Sequence, residues 1–246
     1  MEYGTGTTIL ATKKGIVALN SPIKLKLLDI IRKGITSFDE LVEQSGRAKS
    51  TISVHLHDLE RLNLIEVRSF PHDRRKKYFV LNSLYIAYSE APLRDQYDMH
   101  LENIATSVLN GESFKEKLFC MMRYGMEAYG INPNPIMKKL GTDIGARIGK
   151  GFRSNNCVGV LKELANFWDI HTLGDMYIDN DNLTVQVENC YQCSRMPNVG
   201  KTLCSLDEGI IEGAISGRLG IACSVQEIEC YGTGHHHCMF VVKKKG

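Results

Sequence analysis

The 246-residue sequence has no run approaching the roughly 20 consecutive apolar residues that a membrane helix needs. Residues Met1 to Gly6 offer neither the basic nor the apolar stretch of a secretory signal. A cytoplasmic protein without a membrane partner is therefore expected. No flavin or nicotinamide fingerprint is present, and no Ser/His/Asp or paired-carboxylate constellation can be assembled. The evenly spaced Gly141, Gly145 and Gly149 are not followed by the Gly-Lys-Ser/Thr of a phosphate loop, and are expected to permit close helix approach instead. These absences argue against an enzyme, which stands as a remote alternative. An apolar fraction of 43% with 24% charged residues is that of a soluble globular chain and excludes general disorder.

Cysteine, by contrast, is plentiful and unevenly placed. Six of the eight cysteines lie in the last quarter of the chain, at Cys190, Cys193, Cys204, Cys223, Cys230 and Cys238, with Glu227 among them. Soft, ionisable ligands gathered this closely point to a metal site, a thiol switch, or both. In a reducing cytosol such cysteines are thiols, ligands or sensors rather than a disulfide framework, although an anaerobic or thermophilic source also fits.

Charge is uneven as well. Residues 1–85 carry 14 Lys and Arg against 9 Asp and Glu, an excess of +5, whereas residues 86–246 carry 16 against 19, or −3. Only the front half is suited to meet a polyanion.

The local patterns agree with that division. Ser21 and Pro22 open a helix over 21–33 that places Ile23, Leu27, Ile30 and Ile31 on one face, and Gly34 ends it. Phe38 to Gln44 forms a short helix, Ser45-Gly46-Arg47 a turn, and Lys49 to Leu62 a longer helix with Ile52, Leu56, Leu59 and Leu62 buried. Strands over 64–68 and 77–81 then flank a basic hairpin tip. From Ser21 to Leu81 the segment resembles the winged-helix domain of ArsR-type repressors, on the evidence of Ser45-Gly-Arg-Ala-Lys-Ser-Thr-Ile-Ser-Val-His-Leu56, the Leu-Glu-Arg-Leu-Asn-Leu-Ile that follows, and the basic wing.

That resemblance implies double-stranded DNA as partner. It puts Lys49, Ser50, Thr51, Ser53 and His55 near base edges in the major groove, and Arg74, Arg75 and Lys76 on a wing against phosphates or the minor groove. Many such repressors bind metal through a Cys-x-Cys box on the first helix of the motif, but Phe38 to Gln44 contains no cysteine. The signal must enter elsewhere.

Residues 84–130 read as helix. Leu101, Ile104, Ala105 and Val108 form one stripe, and Leu118, Met121, Met122 and Met126 another, suited to pairing two subunits into a homodimer or to packing on the second domain. Helices over 136–152 and 158–168 follow. The chain then turns to strands at 174–178 and 182–188, a helix at 206–219, and strands at 222–229 and 238–243. The expected fold class is α+β: a winged helix-turn-helix domain (1–85), a helical connection (86–110), and an α+β sensor domain with an antiparallel sheet (111–246).

The second part resembles the 4-vinyl reductase domain. Glu188-Asn-Cys190, Gly209-Ile-Ile-Glu-Gly-Ala214 and Val225-Gln-Glu-Ile-Glu-Cys230, leading to Gly232-Thr-Gly-His-His-His-Cys-Met-Phe240, carry that likeness. A winged helix joined to such a domain is similar to methanogen-specific redox regulators, in which cysteine state governs DNA binding. In phenol-responsive activators a similar domain holds zinc by three Cys and one Glu, a spacing matched here by Cys204, Glu227, Cys230 and Cys238. The resemblance thus implies a zinc site at those four residues and leaves Cys223, Cys190 and Cys193 for redox work, with Cys190 and Cys193 forming a local disulfide or joining the metal. His235, His236 and His237 read as solvated loop residues or auxiliary ligands. The function expected is a homodimeric, redox-responsive transcriptional repressor. The alternative within the same family is a regulator whose second domain takes a small apolar effector.

Overall fold

The fold follows from where each segment can bury its apolar face. A computed structural model describes residues 6–70, 73–94, 97–111, 113–196 and 198–244, and the chain divides into two units, residues 1–91 and 92–246.

In the first unit, Pro22 opens α1 (Pro22–Arg32), where a proline ring and its missing N–H cost nothing, and the helix buries Leu25, Leu27, Leu28, Ile30 and Ile31. Each such side chain contributes about 1.5–3 kcal/mol of transfer free energy. Helix α2 (Phe38–Ser45) is capped by Ser37, whose Oγ accepts from the Glu40 N–H, and is closed by Gly46 at φ 67°. Helix α3 (Lys49–Arg61) buries Ile52, Leu56 and Leu59, and leaves its opposite face to solvent. Strands β3 (Ile65–Phe70) and β4 (Asp73–Leu81) pair antiparallel from Ile65↔Leu81 to Phe70↔Asp73, so the wing strands run further than the sequence pattern suggests.

Two features of this unit depart from the sequence pattern. Strands β1 (Thr8–Thr12) and β2 (Gly15–Leu19) form a hairpin, and β5 (Ser83–Ser89) pairs with β1 from Thr8↔Tyr88 to Thr12↔Ser83. Residues 84–89, read from the sequence as the start of a long helix, are therefore strand, and the connecting segment becomes helical only at Tyr97. The cause is tertiary. The β5 edge is satisfied by a partner more than 70 residues upstream, and aromatic and β-branched residues such as Tyr85, Ile86 and Tyr88 suit a half-buried strand.

The second unit begins with α4 (Tyr97–Leu109) and α5 (Phe114–Ala128), followed by a two-residue strand, β6 (Ile131–Asn132). Then come α6 (Asn134–Gly149), α7 (Cys157–Ile170), β7 (Asp175–Asp179), β8 (Thr184–Glu188), α8 (Ser205–Leu219), β9 (Cys223–Glu229) and β10 (Cys238–Lys244). The sheet is antiparallel in the order β7-β8-β10-β9. Alternation sends Val185, Val187, Cys223, Val225, Glu227, Cys238, Phe240 and Val242 to its inner face, where they meet Val160, Leu161, Leu164 and Trp168 of α7 and Ile211, Ala214 and Ile215 of α8. The fold is α+β, as the order of elements predicts.

Helices α6 and α8 cross at backbone contact. A Cβ added at Gly141, Gly145 or Gly149 would lie 2.1, 2.2 or 2.3 Å from the carbonyl oxygens of Leu206, Ile210 and Ala214. The reciprocal positions on α8, Gly209, Gly213 and Gly217, stand 2.1, 2.3 and 2.4 Å from the oxygens of Lys138, Thr142 and Ala146. The four-residue glycine spacing of α6 is thus one half of a seam. Its other half, on α8, is a repeat that the sequence pattern alone does not single out.

The edge strand β9 is tied to α8 by two carboxylates. Glu208 accepts from the Glu227 N–H at 2.6 Å and Glu212 from the Val225 N–H at 3.2 Å, while Lys138 of α6 bonds Glu208 at 3.0 Å and the Val225 carbonyl at 2.6 Å. These contacts fix the height at which Glu227 faces the core.

Candidate metal centre and nucleic-acid interface

All eight cysteines are buried, and five of them meet at one point of the second unit. The turn after β8 supplies Cys190 and Cys193. Asn189, at φ 51°, starts this turn, and the N–H groups of Ser194 and Met196 close on the Cys190 and Cys193 carbonyls. Cys204 is the N-cap of α8, and its own N–H donates to Glu227 Oε2 at 2.8 Å. Cys230 ends β9, with its Sγ accepting from the Gly232 N–H at 3.4 Å, and Cys238 begins β10 opposite Val187. Between them a 3₁₀ turn (Tyr231–Thr233) closes on Gly234 at φ 87°.

The sulfurs are close but unbonded. Cys193 lies 3.1 Å from Cys238 and 3.2 Å from Cys204, Cys190 lies 3.6 Å from Cys204, Cys204 lies 3.7 Å from Cys238, and Cys230 lies 4.0 Å from Cys238. Four thiolates around a zinc ion at about 2.3 Å stand about 3.8 Å apart, so these separations are those of a ligand shell. Two overlapping quartets have all donor atoms within 4.8 Å of one another: Cys204, Glu227, Cys230 and Cys238, and Cys190, Cys193, Cys204 and Cys238. The donors fit a thiolate-loving divalent ion. A carboxylate with its Oε1 buried and unpartnered, as in Glu227, otherwise carries an uncompensated desolvation cost.

Electrostatics in the thiol form point the same way. Burial, helped by the charge of Cys230, raises Glu227 to about 9, and burial followed by the charge of Cys190 pushes Asp207 well above the usual carboxylate range. Burial drives Cys204 up, while hydrogen bonds from neighbouring thiols, Cys193 first, hold Cys190 and Cys230 low. Crowded thiols cannot all ionise unless a cation joins them. Asp207, absent from the sequence-based set, accepts from Tyr191 Oη at 3.4 Å and stands 3.8 Å from Cys190 Sγ. Only its place in the first turn of the helix after Cys204 could have flagged it.

Around the cluster lies a buried charge network. Arg123 of α5, 2% exposed, pairs with Glu127 at 3.4 Å and bonds Asn134; Glu127 also pairs with Lys201. Cys120 Sγ donates to the Gln192 carbonyl at 3.2 Å, anchoring the Cys190–Cys193 turn to α5.

The other predicted residues are placed as follows. Cys223 sits at the far end of β9, opposite Lys244, with its Sγ toward the Glu212 carbonyl at 3.7 Å, so it does not join the cluster. His237 bonds Glu229 at 2.7 Å and His235 bonds Thr233 at 3.0 Å; neither histidine is in either quartet.

In the first unit, Lys49, Ser50, Thr51 and Ser53 lie exposed on α3, and Lys49 pairs with Asp39 at 3.0 Å. His55 is half-buried, with its Nδ1 enclosed and without a partner. The outer stripe instead runs through Ser50, Ser53, Val54 and His57, spaced at helical intervals, and Val54 is 61% exposed. A cleft of about 870 Å³ separates this stripe from the wing, with Ser53 and His57 on one side and Lys76 and Lys77 on the other. Arg74 and Arg75 belong to the backbone of β4, and their side chains lie outside the described part of the structure, as do Pro71 and His72 at the wing tip.

Known proteins echo both units. The family model described as "Bacterial regulatory protein, arsR family" matches residues 21–67, and the model of the 4-vinyl reductase domain matches residues 183–244. An uncharacterized protein of Methanocaldococcus jannaschii is 32% identical over 96 residues, covering 39% of this chain and 60% of that protein, so the match spans less than two thirds of this relative's length. A second uncharacterized protein of the same organism is 28% identical over 127 residues, covering 51% of this chain and 73% of its own. Among solved structures, a vinyl-4-reductase family protein from M. jannaschii aligns with TM-score 0.39 at 17% identity, over 63% of this chain and 99% of its own. The phenol-responsive sensory domain of the transcription activator PoxR, with phenol, aligns with TM-score 0.38 at 15% identity, over 79% and 90%.

Proposed function

We propose that this chain, an ArsR-type helix-turn-helix segment joined to a 4-vinyl reductase domain, is a redox-responsive transcriptional repressor that binds operator DNA as a homodimer and holds zinc in its second unit. The observation that carries this reading is the gathering of five buried thiols and Glu227 at separations suited to thiolate ligation. Zinc, when bound, neutralises these thiolates and locks α8, the Cys190–Cys193 turn and the β9–β10 connection together.

On the DNA side, the exposed stripe of α3 enters the major groove. Ser50, Ser53 and His57 donate or accept at base edges, Val54 offers a methyl surface to thymine, and Lys76 of the wing contacts phosphate. Phe114, Leu118 and Met122 lie exposed at four-residue intervals on α5, and this apolar stripe supports the dimer, which two-fold operators require.

In the switch, two thiolates such as Cys193 and Cys238 each give up one electron and form one S–S bond. A peroxide takes the two electrons and two protons and becomes two waters, and the ion loses ligands and leaves. The thiols already lie near the required distance, so closing to about 2.05 Å requires only a local shift of the turn.

Gel-shift titration with operator DNA tests the reading. Reduced, zinc-loaded protein and peroxide-treated protein should differ at least tenfold in affinity, and equal affinities overturn the redox switch. No helix of the described residues is long and apolar enough to cross a membrane.

A further inference from the structure

We propose that the cluster holds two metal ions joined by bridging thiolates. Cys190, Cys193, Cys204 and Cys238 bind the first, Cys204, Glu227, Cys230 and Cys238 the second, and the Cys204 and Cys238 sulfurs are common to both. The inference rests on the metal-binding reading above and goes beyond its single ion.

Counting donors is the first argument. Two tetrahedra that share an edge need six donors, and six are present. The shared edge is the Cys204–Cys238 pair at 3.7 Å, close to the roughly 3.8 Å edge of a zinc–sulfur tetrahedron. Three further edges of the first site measure 3.6, 3.2 and 3.1 Å, and the second has the Cys230–Cys238 edge at 4.0 Å.

A single ion leaves groups stranded wherever it sits. In the mixed quartet it leaves the Cys190 and Cys193 thiols, both fully buried, pressed against its own ligand sulfurs. In the all-sulfur quartet it leaves Cys230 and a Glu227 carboxylate that is 4% exposed, with Oε1 unpartnered. Two ions give every one of these groups a partner, which is what a water-free interior demands of charged and polar atoms.

Charge is compatible with this count. Five thiolates and one carboxylate bring six negative charges and two divalent ions bring four positive ones, so two negative charges remain. Arg123 is buried beside the cluster, with Nε and Nη1 free of hydrogen-bond partners, and it feels the charges of Cys204, Glu227 and Cys230. A donor set this rich in sulfur selects zinc or a similarly thiophilic divalent ion over magnesium or calcium.

Metal content measured by mass spectrometry on the full chain, purified anaerobically with reductant, tests the proposal. The expected result is two zinc ions per chain. Cobalt titration of chelator-stripped protein should then give an electron paramagnetic resonance signal that grows over the first equivalent and falls over the second, as the two ions couple through sulfur. Cys190→Ser combined with Cys193→Ser should bring the ratio down to one; if that variant does not fold, the wild-type ratio and the cobalt signal still decide. One ion per chain with an undiminished cobalt signal overturns the two-ion site and leaves the zinc reading standing. No metal overturns both, and iron accompanied by acid-labile sulfide overturns the thiolate-bridged zinc pair.

Discussion

The residues assigned to DNA and the residues assigned to sensing relate to their hydrophobic cores in opposite ways. In the first unit the core is aliphatic, built on Leu27, Leu28, Leu41, Ile52 and Leu59, and the candidate DNA contacts stand on the far side of α3. In the second unit Cys190, Cys193, Cys204, Cys230 and Cys238 belong to the same buried cluster as Trp168, Val185 and Phe240. The recognition surface can therefore change without disturbing its fold, whereas the sensing groups are part of what holds theirs together. A switch made from core residues converts a chemical change into a change of stability, because the same atoms carry both.

Four measurements would break or sharpen that contrast. The largest effect is expected on metal removal: at a free-zinc level about a thousandfold above Kd, binding contributes about 4 kcal/mol to the native state, so a strong chelator should lower the melting temperature of the second unit by many degrees and leave the first unit's transition in place. Calorimetry showing equal shifts in both units would erase the distinction. Next, Gly213→Ala should destabilise the second unit by about 3 kcal/mol, because its Cβ would sit 2.3 Å from the Thr142 oxygen, and denaturant melts would show it.

A smaller effect should come from Val54→Ala combined with Ser53→Ala, expected to cost about 1–3 kcal/mol in operator affinity with an unchanged melting temperature. Loss of stability here would mean that the α3 stripe is packed, contrary to its exposure. The smallest effect is expected for Lys76→Ala, about 1 kcal/mol lost equally from specific and non-specific DNA, with a flatter salt dependence of binding. Discrimination between sequences at that position would instead assign the lysine to a base.

The same contrast explains how much the sequence disclosed. Helices α1, α2 and α3 are legible because caps, Pro22, Gly46 and one apolar face all act within a few residues. The strands of the second sheet are legible from alternation. Strands β1, β2 and β5 are not, since their pairing joins Thr8–Thr12 to Ser83–Ser89 across most of the first unit, and no local signal records that. At the candidate centre the convergence of Cys204, Glu227, Cys230 and Cys238 is suggested by spacing around one strand connection. The convergence of Cys190 and Cys193 on the same point depends on β8 lying beside β10, a matter of sheet order that spacing leaves open. On α3, the helical period could have selected Val54 and His57 over His55. The motif's resemblance draws attention to polar residues instead, and an exposed valine is conspicuous only once burial is known.

The glycine seam has a mechanical consequence for whatever happens at the thiols. Six Cβ-free positions on α6 and α8 interlock at backbone distance, so α8 behaves as a keyed shaft: turning it swings side chains into the carbonyls of α6. Sliding it to the next equivalent notch means four residues, about 6 Å, far more travel than two sulfurs closing on one another can produce. Cys204, fixed to the head of that shaft, is therefore the stationary jaw of the cluster. The moving jaws are the turn carrying Cys190 and Cys193 and the connection carrying Cys230 and Cys238, and any displacement that leaves the sensor leaves through them.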